Sequence, residues 1–127
     1  LPAGWSKTTA EESGRERYQF RLDEEDGATF LVWVVEQGED EPFQIRLTTI
    51  GNAGNRVRHD YPIDTHDSRE TAIVEAESFV HHLDSRRRAG RLSDDDPSVE
   101  DVQRVIDEFT GLTIGTRLRR FLGGIGQ

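Results

Sequence analysis

The sequence predicts an α+β domain: a four-stranded antiparallel meander, a long helix on one face and a C-terminal helical segment. Three observations lead there. Tyr18-Gln19-Phe20-Arg21-Leu22 and Phe43-Gln44-Ile45-Arg46-Leu47-Thr48 alternate apolar and polar residues, the period of a half-buried strand. Phe30-Leu31-Val32-Trp33-Val34-Val35 is the longest unbroken apolar run, and six apolar residues in succession mark a strand covered on both faces. Behind these strands Ala72, Ile73, Ala76, Phe79, Val80 and Leu83 recur at helical spacing.

In chain order, residues 1–17 read as an irregular N-terminal arm, anchored by Trp5 lying on the domain. The first strand follows at Tyr18. Asp26-Gly27 is a favoured pair for a two-residue hairpin loop. That loop sets Leu22 opposite Leu31 and Phe20 opposite Trp33, so Leu31, Trp33 and Val35 are expected on the face of Tyr18, Phe20 and Leu22. Gln37 to Pro42 and Gly51 to Asn55 supply the next turns, and a weaker strand runs from Val57 to Tyr61. Pro62 lacks a ladder donor, which places this strand at an edge or ends it there.

Asp67-Ser68-Arg69-Glu70 has the form of a capping box for the long helix. Arg86, Arg87 and Arg88 suit its C-terminus, and Gly90 its left-handed close. The apolar stripe of this helix is expected over the face carrying Trp33. Past Ser93-Asp94-Asp95-Asp96, Pro97 opens a second helix with Val99, Val102, Ile106 and Phe109 on one side. Thr113 to Leu122 reads as a short third helix. Residues 18–91 thus hold the meander and main helix, and residues 92–127 a helical segment of the same domain.

Composition bounds the function. At 127 residues the chain is one domain's worth, able to bury a core without staples. There are no cysteines, which excludes disulfides, thiolate zinc sites and cysteine nucleophiles. No apolar run nears the roughly 20 residues of a membrane-spanning helix, and no signal segment opens the chain, so a cytoplasmic protein is expected. The first residue is Leu1 and methionine is absent, so the chain is expected to be trimmed relative to its gene. Net charge is −9, and Lys7 is the one lysine among 16 cationic residues. Acid-rich and lysine-poor composition fits proteins of salt-loving archaea, whose self-repulsion is screened by concentrated salt. The opening Leu1-Pro2-Ala3-Gly4-Trp5, with this composition, resembles that of small acidic haloarchaeal proteins, a resemblance that implies no activity.

The predicted register leaves a second sheet face carrying Phe30, Val32 and Val34 between Arg21, Arg46 and Arg58, with Gln19, Gln44, Thr48 and Asp60 around them. An apolar centre ringed by arginines needs a cover. The C-terminal helices, a second copy of the chain forming a homodimer, or a single-stranded nucleic acid would each supply one. In outline, four antiparallel strands followed by a helix is similar to the transcription cofactor PC4 and the Whirly proteins, which implies single-strand binding on the sheet. Arg86, Arg87, Arg88 and Arg91 would then add phosphate contacts. A protein contact is the expected reading, because apolar sheet patches more often mark protein interfaces.

No catalytic motif is present, and neither an enzyme nor a cofactor is expected. His59-Asp60 and Asp64-Thr65-His66-Asp67 form the one His/Asp cluster, better explained as strand end, turn and helix cap than as a metal site. His81 and His82 are adjacent on a helix, about 100° apart, and cannot easily share a ligand. Asp23 to Gly27 lacks the calcium-loop offsets, and Gly123 to Gly126 follows no strand. The expected function is a non-catalytic interaction module, homodimeric and halophilic. Nucleic-acid binding through the arginine-bearing face is the alternative, and an enzyme site between subunits comes third.

Overall fold

A computed structural model of the chain describes residues 1–12, 15–24, 27–37, 42–52, 56–93 and 95–111. Among the described residues five strands form one antiparallel sheet: β1 (Trp5–Glu12), β2 (Arg15–Asp23), β3 (Thr29–Glu36), β4 (Phe43–Ile50) and β5 (Arg58–His66). Their spatial order equals their chain order, a simple meander. The fold class is therefore α+β with an antiparallel sheet, but with five strands rather than the expected four. The additional strand is β1, cut from the segment read as an irregular arm. Gly4, at φ 90°, turns the chain into it. β1 shows no apolar period because only Trp5 of its described side chains is buried, while residues 6 to 9 are exposed.

β5 runs on through Pro62 to His66. The proline is tolerated because β5 is the outer strand, where an N–H facing solvent is not needed. A bulge opposite Ile45 and Arg46 shifts the register beside it, and Ile63 is buried there.

α1 (Arg69–Arg88) starts at Ser68, whose hydroxyl accepts the Thr71 N–H at 3.2 Å. The cap is thus one residue later than the Asp67 box implied. At the other end the Arg91 N–H bonds the Arg86 carbonyl and the Gly90 N–H that of Arg87, with Gly90 at φ 78°. This is the left-handed close that glycine permits. Ala72, Ala76, Phe79, Val80 and Leu83 point into the sheet and are sealed.

α2 (residues 99–111) begins after Ser98, whose hydroxyl accepts the Asp101 N–H at 3.1 Å. Val102, Val105, Ile106 and Phe109 are buried, whereas Val99 is half exposed. The Phe109 ring meets Phe79 of α1 edge-on at 5.2 Å, and His82 of α1 reaches the Val105 carbonyl at 3.2 Å. α2 therefore rests on α1 and does not fold over the second sheet face. The approach to α2 is pinned where the Asn52 N–H donates to the Asp95 carbonyl at 2.9 Å. The expected helix from Thr113 to Leu122, the glycines at 123–126, Asp26 and Asp94 lie outside the described residues. Among those described, no helix is long and apolar enough to cross a membrane.

Candidate functional site

The hairpin between β2 and β3 decides which residues face outward. Asp23 pairs with Thr29, the Glu24 N–H bonds the Ala28 carbonyl, and Leu22 stands opposite Phe30 rather than Leu31. The connection therefore spans five residues, Glu24 to Ala28, instead of two. Because side chains alternate strictly, this one-residue slip turns every residue of β3 to the other face. Phe30, Val32 and Val34, expected on the second face, are instead the core residues under α1, at most 5 % exposed. Leu31, Trp33 and Val35 take their place beside Arg21, Arg46 and Arg58, each half buried.

Neighbouring strands complete this face in rows. Arg21, Leu31, Thr48 and Asp60 form one row, and Gln19, Trp33, Arg46 and Pro62 the next. Trp33 lies at the centre and is fixed from two sides. Its indole N–H donates to the Thr48 hydroxyl at 3.1 Å, and that hydroxyl donates to Asp60 Oδ1 at 2.5 Å. Arg58 Nε closes the chain on Asp60 Oδ2 at 3.2 Å. The Thr48 hydrogen bond, assisted by Arg58 and opposed by desolvation, holds the Asp60 carboxyl below its usual pKa. Over the indole lies the Arg46 guanidinium, 5.5 Å from a ring centroid and bonded through Nε to Gln44. Trp33, Gln44, Arg46, Arg58 and Pro62 line a shallow groove of about 340 Å³.

The opposite flank repeats the pairing of charges. Arg21 Nε bonds Asp23 Oδ2 at 2.8 Å, and Thr29 donates to Asp23 Oδ1 at 2.8 Å. The hydrogen bond from Arg21 is the main cause of the lowered Asp23 pKa. Two of the three arginines on this face therefore carry a carboxylate partner two residues along their own strand. An exposed pair of this kind adds little stability, but it cancels much of the positive field the arginines alone would project.

The arginines at the end of α1 are matched too. Arg86 Nε lies 2.9 Å from Glu108 Oε2, and Arg91 lies 3.6 Å from Glu108 Oε1. Arg87 bonds Glu24 and, at 2.9 Å, Asp84, while Arg88 Nε reaches Asp84 Oδ2 at 2.7 Å. Asp84 is 3 % exposed and also accepts the Trp5 indole N–H at 3.0 Å. Burial pushes its carboxyl upward, but Trp5, Arg87 and Arg88 outweigh burial and leave the pKa lowered. The run read as a phosphate-binding cluster thus ties the β2–β3 loop and α2 to α1, while Asp84, which two of its arginines share, ties β1 through Trp5.

Of the histidines, His66 is buried 3.7 Å from Asp64, and His82 faces α2. No group of three or more His, Cys, Asp or Glu able to hold a metal occurs among the described residues. Trp33, Leu31 and Val35 are the residues of the open face that the sequence reading placed elsewhere. No family model matches the chain, nor does any curated protein or solved structure compared with it.

Proposed function

We propose that this chain is a non-catalytic interaction module that self-associates through the open face of its sheet. One observation carries the reading: Leu31, Trp33 and Val35 form an apolar strip along the middle strand that neither α1 nor α2 covers. Five strands of about eight residues, spaced ~4.8 Å apart, project roughly 600 Å². Side-chain relief brings that near the ~800 Å² per partner of a standard interface. A second copy is the occupant that the charges favour. The patch carries both signs, Arg21 with Asp23 on β2 and Arg58 with Asp60 on β5, and a two-fold contact needs a self-complementary surface. With net charge −9 on each copy, salt strengthens the contact by screening repulsion, in keeping with a halophilic setting.

Nucleic-acid binding gains one specific feature, an indole beside Arg46 where bases stack. The carboxylates of Asp23 and Asp60 on that same face weigh against it.

Light scattering in about 2 M KCl, a level that reduces the screening length to a few ångströms, tests the reading. The wild-type chain is expected at two copies or more, and Trp33→Asp, with unchanged circular dichroism, at a lower mass. Equal masses for the two would overturn it. Capture of a short single-stranded DNA by the wild type, lost in Arg46→Glu, would favour the alternative.

A further inference from the structure

The two edges of the sheet are built differently. β5 carries Pro62 in mid-strand and faces a bulge in its register with β4, two devices that prevent another strand from adding to an edge. β1 has neither. Its pairing with β2 runs without a shift from Trp5–Leu22 to Glu12–Arg15, and it contains no proline. Among the described residues no strand lies beyond it.

The backbone phase of this edge can be read. In an antiparallel pair, N–H and C=O groups point toward the partner at alternate residues and away from it at the others. The Trp5 N–H is given to the Pro2 carbonyl at 3.3 Å, so Trp5 belongs to the outward set. Lys7, Thr9 and Glu11 follow it in phase. Their groups form a regular ladder of donors and acceptors along the side of β1 that faces away from β2.

We infer that β1 pairs antiparallel with β1 of a second copy, about a two-fold axis through Thr9, joining two sheets edge to edge. Charge selects both occupant and register. With Thr9 opposite Thr9, position 7 of each copy, a lysine, stands opposite position 11 of the other, a glutamate, so unlike charges are set in register twice across the contact. A register centred on residue 7 would oppose lysine to lysine, and one centred on residue 11 glutamate to glutamate. In the Thr9 register the outward groups of residues 7, 9 and 11 all meet partners in the same phase. Lys7 is the chain's one lysine, and its ammonium lies 5.5 Å from the Tyr18 ring centroid and 6.0 Å from that of Phe20. Those contacts keep its stem on the core side of the strand.

This contact is separate from the open face, and its test is arranged to keep the two apart. Masses are measured at about 0.15 M salt, where a screening length of ~8 Å leaves short-range pairs effective. Thr9→Pro removes an outward N–H and leaves the β1–β2 ladder its donors. In the Trp33→Asp background, which disables the face contact, the chain is expected as a dimer, and adding Thr9→Pro should yield a monomer. Lys7→Glu in that background should raise the dissociation constant about tenfold or more, and Lys7→Glu with Glu11→Lys should restore it. The charge swap guards against a Thr9→Pro variant that fails to fold. A Trp33→Asp protein that is already monomeric, or a swap that restores nothing, overturns the edge contact. A wild-type dimer insensitive to Trp33→Asp but split by Thr9→Pro would instead overturn the face reading and leave the edge standing.

Discussion

Phe30, Val32 and Val34 are no more apolar as a set than Leu31, Trp33 and Val35, their alternates on the same strand. Yet the first three are sealed under α1 while the second three stay half open. What separates them is their partners across the ladder. Phe30, Val32 and Val34 sit in rows with Leu22, Phe20, Leu47 and Ile45, and the other set in rows with Arg21, Gln19, Thr48 and Arg46. A strand apolar on both sides can form a core with either face. Its neighbours and the loop that joins it to them decide which face does so.

The largest effect should come from removing a side chain on the sealed face. Phe30→Ala empties a fully buried site and is expected to cost about 3–5 kcal/mol of folding stability. Trp33→Ala, on the other face, loses half-buried area and one hydrogen bond to Thr48, and should cost the fold only about 1 kcal/mol. Urea denaturation of both variants at one protein concentration measures the difference. Equal costs would mean that the open face is packed as tightly as the core.

That contrast also explains what was legible beforehand. β2 and β4 alternate cleanly, so Phe20, Leu22, Ile45 and Leu47 could be assigned inward and Arg21 and Arg46 outward from their pattern alone, and the helical stripe of α1 was equally plain. β3 carries no such signal: both of its phases are apolar, so only the connection to β2 sets the register. Asp26-Gly27 suggested a two-residue loop, whereas five residues separate Asp23 from Thr29. One residue of slip moved Trp33 from core to surface, and with it the centre of the candidate site. β1 was hidden for another reason. It lies at the edge, α1 packs on β2 to β5, and among its described side chains only Trp5 hydrogen-bonds to α1, so burial calls for one large apolar residue and leaves no period to read. The fate of Arg86, Arg87, Arg88 and Arg91 depends on Glu24, Asp84 and Glu108. Glu24 is more than sixty residues away in sequence, and such pairings lie beyond any local pattern.

The sealed face depends on its cover staying in place, and the buried knot at Asp84 is one fastening. Asp84→Ala leaves the Trp5 indole N–H and the half-buried Arg87 without their shared acceptor. Removing one partner of a buried charged group is expected to cost about 3 kcal/mol, a little less than the emptied core site. The pH dependence has a definite sign. The folded pKa of Asp84 is lowered, so its contribution is present above the unfolded value, near 3.9, and disappears as pH falls through the folded value. Wild-type protein should therefore lose stability below about pH 4, and Asp84→Ala should lose less of it over the same range. Parallel acid titrations of the two would show the knot to be without electrostatic consequence.

The second fastening, where α2 seats on α1, should show the smallest effect, and it concerns the cover alone. His82 lies half buried, with Nε2 3.2 Å from the Val105 carbonyl and 3.7 Å from Glu108. Burial is the main cause of its lowered pKa, with Arg86 adding to it and the Val105 carbonyl and Glu108 opposing. A histidine with a lowered folded pKa takes up its proton more readily when unfolded. Its neutral form supports the fold fully above the unfolded value near 6.5, and stability is lost as pH falls through that value toward the folded one. His82→Gln keeps a neutral donor for the Val105 carbonyl and cannot titrate. Between pH 7 and pH 5 the wild-type melting temperature should drop by about one to three degrees more than that of the variant, the size expected from a few tenths of a kcal/mol. The open face has no histidine in its central rows, so Trp33→Ala should leave this difference intact. A pH response that vanished with Trp33 rather than with His82 would mean that the two faces are coupled through β3, and that the open side helps to hold the cover on the closed one.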